Sequence, residues 1–98
     1  SASSARDWFE RARRVTRNRA HWRQVLEGDA ADGRPARLPD WVEAEAVPDP
    51  FAVTREAIDR AVASGDMGPE ESQLMREYVD QLEREFQSEN QKIQSLTR

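Results

Sequence analysis

An all-α fold, a small helical bundle, is what this sequence predicts, and three observations predict it. Apolar residues recur every three to four positions through three stretches and do not alternate as they would in strands. Glycine and proline gather at the junctions between those stretches. With 98 residues, 37% hydrophobic and 35% charged, the chain makes one small domain overall, burying only roughly 60–65% of its unfolded surface. The expected units are an Arg-rich amphipathic helix over 4–27, an acidic linker over 28–48, and a helical hairpin over 49–98 with arms 49–64 and 69–96.

The first helix is set by Ser4 as cap, with Asp7 three residues on as its capping-box partner, favoured by the helix dipole. At 100° per residue, Trp8, Ala12, Val15, Trp22 and Leu26 share one face. Arg13, Arg14, Arg17, His21 and Gln24 face away from it. Gly28 is the expected stop. Apart from the Ser4 cap, the opening Ser1-Ala2-Ser3-Ser4, which has no methionine, plays no part in this reading.

Residues 28–48 carry two glycines, three prolines and an acidic balance, the composition of a linker. A connection of this length is usually functional or mobile. Pro39 opens a short helical turn with Leu38, Trp41 and Val42 on one side. Trp41 is expected to pin the linker onto the bundle, with a docking motif for another protein as the alternative.

The hairpin begins where Asp49 caps and Pro50 takes the first helical position. Phe51, Thr54, Ile58, Ala61 and Val62 form its buried stripe, and Gly65 ends the arm. Gly68-Pro69-Glu70-Glu71 then opens the last helix with a permissive cap, a proline and two dipole-favoured acids. So short a connection forces an antiparallel pair. On the long arm Met75, Tyr78, Val79, Leu82, Phe86, Ile93 and Leu96 share a face, and Asp80 and Arg84 are spaced as an i,i+4 ion pair. This arm spans roughly 40 Å and its partner about half that. The strip from Phe86 to Leu96 must therefore meet the first helix, a second copy or another protein.

Charge is distributed unevenly. The first 28 residues hold seven arginines against three acids, a net +4, while the remainder carries −8 of the overall −4. A basic helix beside an acidic remainder is expected to be neutralised largely by ion pairs within the chain or between subunits. Arg13, Arg14 and Arg17 are the residues that would meet an acidic partner or successive phosphates. The acidic whole, with a pI near 5, is unlike the basic modules that bind nucleic acids.

Two polar positions break the apolar stripes. Arg19 falls at the centre of the first helix's stripe, and Glu89, with Asn90, falls inside that of the last. A buried charge needs a partner, so Arg19 is expected to pair with Glu89, within one chain or across a dimer. Otherwise its stem snorkels to the surface.

Enzymatic patterns are missing from the sequence. His21 is the single histidine, with no carboxylate three or four residues away to orient it. Helical metal-site spacings and glycine-rich phosphate loops do not occur. The acids Asp29 and Asp32 lack the rest of a Ca²⁺ loop. No catalytic, cofactor or metal site is therefore expected. The chain has no cysteine, which fits a reducing cytoplasm, and no apolar run of membrane-spanning length. Fourteen arginines to one lysine fit a GC-rich, hence bacterial, coding sequence.

The function expected from these observations is a non-enzymatic adaptor, assembly or regulatory protein working through helix–helix contacts, and a homo-oligomer, since so small and polar a domain often completes its core with a second copy. Trp8, Val15, Trp22, Leu82, Phe86, Ile93 and Leu96 are its expected protein-contact surface, with Arg19, Glu89 and Trp41 alongside. The alternatives are a nucleic-acid-binding regulator using the arginine face and a small accessory subunit of a larger complex.

Overall fold

A computed structural model describes residues 1–97, and Arg98, the end of the expected hairpin segment, lies outside the described residues. The chain forms four helices: α1 (Ala2–Ala31), α2 (Asp40–Ala44), α3 (Pro50–Ala63) and α4 (Pro69–Leu96). No strand occurs among the described residues. The fold is all-α, as the periodicity implies.

α1 is longer than expected at both ends. Ser1, not Ser4, is the cap: its side chain accepts from the Ser4 amide at 3.4 Å. The two alanines that follow then have a packing role, with Ala5 fully buried and Ala2 against the core. At the other end Gly28 stays helical and exposed, and Gly33 makes the stop at φ +74°. Its amide donates to the Ala30 carbonyl at 3.1 Å, and the Arg34 amide to that of Asp29 at 2.8 Å. That double bond pattern is the Schellman cap, which needs a left-handed residue. Pro35 then excludes the α conformation at Arg34.

α3 ends in the same way. Gly65 is left-handed at φ +79°, and the Asp66 amide reaches back to the Ala61 carbonyl at 2.9 Å. The chain turns through Met67, which is buried, and enters α4 at Pro69. Arg55 bonds Asp80 at 2.7 Å and Glu83 at 2.8 Å, and Arg76 meets Asp59 at 2.7 Å, so α3 and α4 run antiparallel. Asp80 thus pairs across the hairpin with Arg55 and not along its own helix with Arg84.

α1 lies parallel to α4. Arg6 meets Glu71, Phe9 stacks by Tyr78, and Arg23 meets Glu89. Each step along α1 therefore matches a step in the same direction along α4. At ~1.5 Å per residue the two rods are roughly 45 and 42 Å long, against about 21 Å for α3. α3 consequently covers only half of the α1–α4 pair.

Two apolar clusters result. The first joins Ala5, Ala12, Phe51, Ala57, Ile58, Ala61, Met67 and Val79, with Phe9, Leu82 and Phe86 packed against it. The second joins Leu26, Leu38, Val42 and Ile93, with Trp22 and Leu96 beside them. The linker takes α3's place over the upper half. Fully burying a side chain such as Ile58 or Leu26 contributes about 1.5–3 kcal/mol. The strip beyond Phe86 is thereby largely covered within the chain by α1 and the linker, with Ile93 buried and Phe86 and Leu96 partly so.

Three further expectations, about burial, are corrected. Val62 is exposed, and Ala57 fills the buried position on α3 instead. Tyr78 stands at the edge of the α4 face, 51% exposed. Trp41 does not pin the linker: it is 59% exposed, while its neighbours Val42 and Leu38 are buried. In a five-residue helix, adjacent positions 41 and 42 point about 100° apart, and the smaller residue fits beneath.

Candidate functional site

Most of the residues expected to form a contact surface are internal. Val15 and Ile93 are buried, and Trp8, Trp22, Leu82, Phe86 and Leu96 are half-buried. Phe86 packs its ring against Phe51, with centroids 5.2 Å apart. Trp8 is covered on one face by the Arg11 guanidinium, 4.7 Å from the ring centroid.

Arg19 is buried at 5% exposure, but Glu89 is not its partner. Its Nη1 donates to the Asn90 amide oxygen and its Nη2 to the Val42 carbonyl at 3.0 Å. The guanidinium lies 4.7 Å from the Phe86 ring centroid, a cation–π position. Glu89 is taken by Arg23, one helical turn further along α1, at 2.6 Å. The parallel register of α1 and α4 explains the exchange, because it places Arg19 beside Phe86 and Asn90. Nor does the side chain snorkel, since α2 closes over it.

A groove runs along the α1–α4 seam. It has a volume of about 550 Å³, and its walls include Arg13, Arg17 and Ala20 from α1 and Leu82, Arg84 and Glu85 from α4. Thr16, Ser88 and Glu89 complete it. Thr16 returns its hydroxyl to the Ala12 carbonyl at 2.8 Å, so it presents no free donor. Arg13 is held by Glu10 at 2.8 Å and Glu89 by Arg23. Arg17 and Arg84 make no ion pair among the described residues, and Glu85, next to Arg84 on α4, likewise meets no cation there. The charge left uncommitted is therefore positive on balance. Arg14 is exposed on the outer side of α1 and also unpaired among the described residues.

The groove thus brings together Arg13, Arg17, Leu82 and Glu89 from the expected set and leaves Arg14 outside. Arg84, Ala20 and Ser88 were not foreseen. Arg84 reads as a solvated residue of α4 until the α1–α4 register is known, and no signal local to its own helix distinguishes it.

One turn below the groove lies an apolar patch. Leu74 is 53% exposed and Tyr78 stands beside it, its ring 6.4 Å from that of Phe9. A third feature is the aromatic corner at α2, where Trp41 meets the edge of Trp22 at 6.1 Å and Trp22 meets His21 at 6.0 Å. His21 is exposed and touches no carboxylate among the described hydrogen bonds and ion pairs.

Burial pushes the Arg19 guanidinium below its ordinary value, and Glu45 and Glu43 partly offset this from a distance. Donating to the Glu89 carboxylate holds Arg23 above its ordinary value, and donating to Glu83 and Asp80 does the same for Arg55. Arginine stays charged throughout the usable pH range, so all three act as fixed cations.

In comparisons with known proteins, no family model, no curated protein and no solved structure matches this chain. No described helix is long and apolar enough to cross a membrane.

Proposed function

We propose that this chain is a non-enzymatic adaptor or assembly protein that docks an acidic, partly apolar helix of a protein partner along its α1–α4 seam. The observation that carries this reading is the convergence of Arg13, Arg17 and Arg84 on a groove whose walls also include Leu82 and Ala20. Two parallel rods with an uncovered seam are a four-helix bundle short of its fourth helix. A helix with apolar residues at i, i+3, i+4 and i+7 would lay that stripe over Leu82, Ala20 and the Leu74–Tyr78 patch. Acids on its flank would meet Arg17 and Arg84, adding attraction and specificity.

Self-association belongs to the same reading, with a second copy supplying the helix. Its support is the open seam, because the strip beyond Phe86 is already largely covered within the chain. The reading places the protein in a reducing cytoplasm, consistent with the lack of cysteine.

A synthetic 18-residue helix of Leu, Ala and Glu, dye-labelled, tests the groove by fluorescence anisotropy. Wild-type protein should bind it, and R17A/R84A should weaken binding at least tenfold. Equal binding by both proteins would sink the assignment. Nucleic-acid binding through Arg14 and Arg17 predicts something different: affinity for an oligonucleotide whose log falls with log salt at roughly −0.9 per phosphate contact on duplex DNA. Light scattering at low and high concentration decides whether a second copy fills the seam.

A further inference from the structure

Arg19 is a buried cation with no anion in contact among the described residues. Among the described residues two of its five N–H donors are used, on the Asn90 amide oxygen and the Val42 carbonyl, and its buried Nε has no hydrogen-bond partner there. No carboxylate among the described residues lies within ion-pair distance of it. A buried charge is ordinarily paired, because neutral dipoles and a ring face offset only part of the desolvation cost.

Arg19 also forms part of the wall of the largest cleft described in the molecule, about 830 Å³ between the linker and the upper half of α4. Leu38, Phe86, Ile93 and Leu96 give that cleft its apolar walls, and Asn90 lies beside Arg19. Its size falls within the ~300–1,000 Å³ range of small-molecule sites, which combine apolar walls with a few placed polar groups. Arg37 and Asp40, 4.0 Å apart, and Glu43 also line it, all exposed.

We infer that this cleft binds a small amphiphilic monocarboxylate, its head on Arg19 and its hydrocarbon tail along Phe86, Ile93 and Leu96. A carboxylate matches the planar guanidinium fork and takes donors that the protein leaves unused. Glu43 at the rim opposes a second negative charge, which selects a monoanion over a dianion. The inference does not depend on the α1–α4 groove, which lies on another face of α4.

Octanoate and 1-octanol, compared by isothermal titration and by NMR shifts of Ile93 and Leu96, provide the test. Wild-type protein should bind octanoate saturably at one site and octanol at least tenfold more weakly. R19M should lose octanoate binding at least tenfold while keeping what octanol binding there is. N90D places a carboxylate where the Asn90 oxygen now accepts from Arg19, so it should raise the melting temperature of the free protein and abolish octanoate binding. Absence of saturable octanoate binding would overturn the inference, as would equal binding of acid and alcohol. Should R19M fail to fold, N90D carries the test alone: octanoate binding undiminished in N90D overturns it.

Discussion

Arg23 and Glu89 form a two-pronged bridge between the long helices, Nε to Oε2 at 2.6 Å and Nη2 to Oε1 at 3.4 Å. Both side chains are mostly covered, and Glu27 adds a second contact to Arg23 at 3.2 Å. A fork–fork contact fixes direction as well as distance. It therefore sets the parallel register in which Arg19 reaches Asn90 and Leu26 packs near Ile93.

Charge reversal tests that register. E89R should lower the melting temperature by several degrees, since it sets two guanidiniums face to face. R23E should do the same, aggravated by Glu27. The double variant R23E/E89R should recover most of the loss from E89R. R19E combined with E89R should recover none, because those two residues do not touch. Thermal melts followed by circular dichroism at low and high salt read this directly.

Arg19 answers to a different arithmetic. Truncation in R19A orphans the Asn90 oxygen and the Val42 carbonyl and opens a cavity beside Phe86. Each lost partner costs about 1–3 kcal/mol, while removing an uncompensated buried cation returns part of that. A net loss of about 2–4 kcal/mol is expected in urea titrations, a large share of the stability of a domain this size. R19K should recover less than half of it, since one ammonium cannot span both acceptors in the fork geometry.

Much of the fold was legible because it rests on local signals. Asp49-Pro50 and Gly68-Pro69 announce helix starts, and the short turn between Gly65 and Gly68 leaves one way to pack the arms. The burial of Arg19 followed from its place at the centre of an apolar stripe. Its partner did not, because two long helices can slide by a turn without disturbing either stripe, and only the three-dimensional register separates Asn90 from Glu89. The stop expected at Gly28 falls at Gly33 instead. Pro35 was the deciding signal, since it stops the helix just past Gly33 but not past Gly28. The groove was the least legible feature, since its arginines come from two helices 67 residues apart in sequence at Arg17 and Arg84.

The hairpin separates packing from surface charge. Ile58 is fully buried in the lower cluster, so I58A should cost about 2–5 kcal/mol. Arg55 holds two acids on α4, but Asp80 is half-exposed and solvent screens the pair. R55A should cost no more than about 1 kcal/mol, with the difference from wild type shrinking as salt rises. A larger loss in R55A than in I58A would mean that the hairpin is held by its ion pairs and not by its core.

The linker is held by few contacts, and these make it the element that should open first. Val42 and Leu38 enter the upper cluster, the Val42 carbonyl accepts from Arg19, and the Asn18 side-chain Nδ2 donates to Glu45 at 2.7 Å. Trp41 contributes only an edge contact to Trp22. V42A removes two buried methyl groups and should cost about 1.5–3 kcal/mol, whereas W41A should stay within about 1 kcal/mol of wild type. Local opening exposes few apolar groups here, so amides of residues 40–46 should exchange with deuterium faster than those of α3. V42A should accelerate them further and leave Ile58 and Val79 protected. Uniform acceleration across the chain would instead show that the linker and the bundle unfold as one unit. In that case the second cluster would be part of the cooperative core.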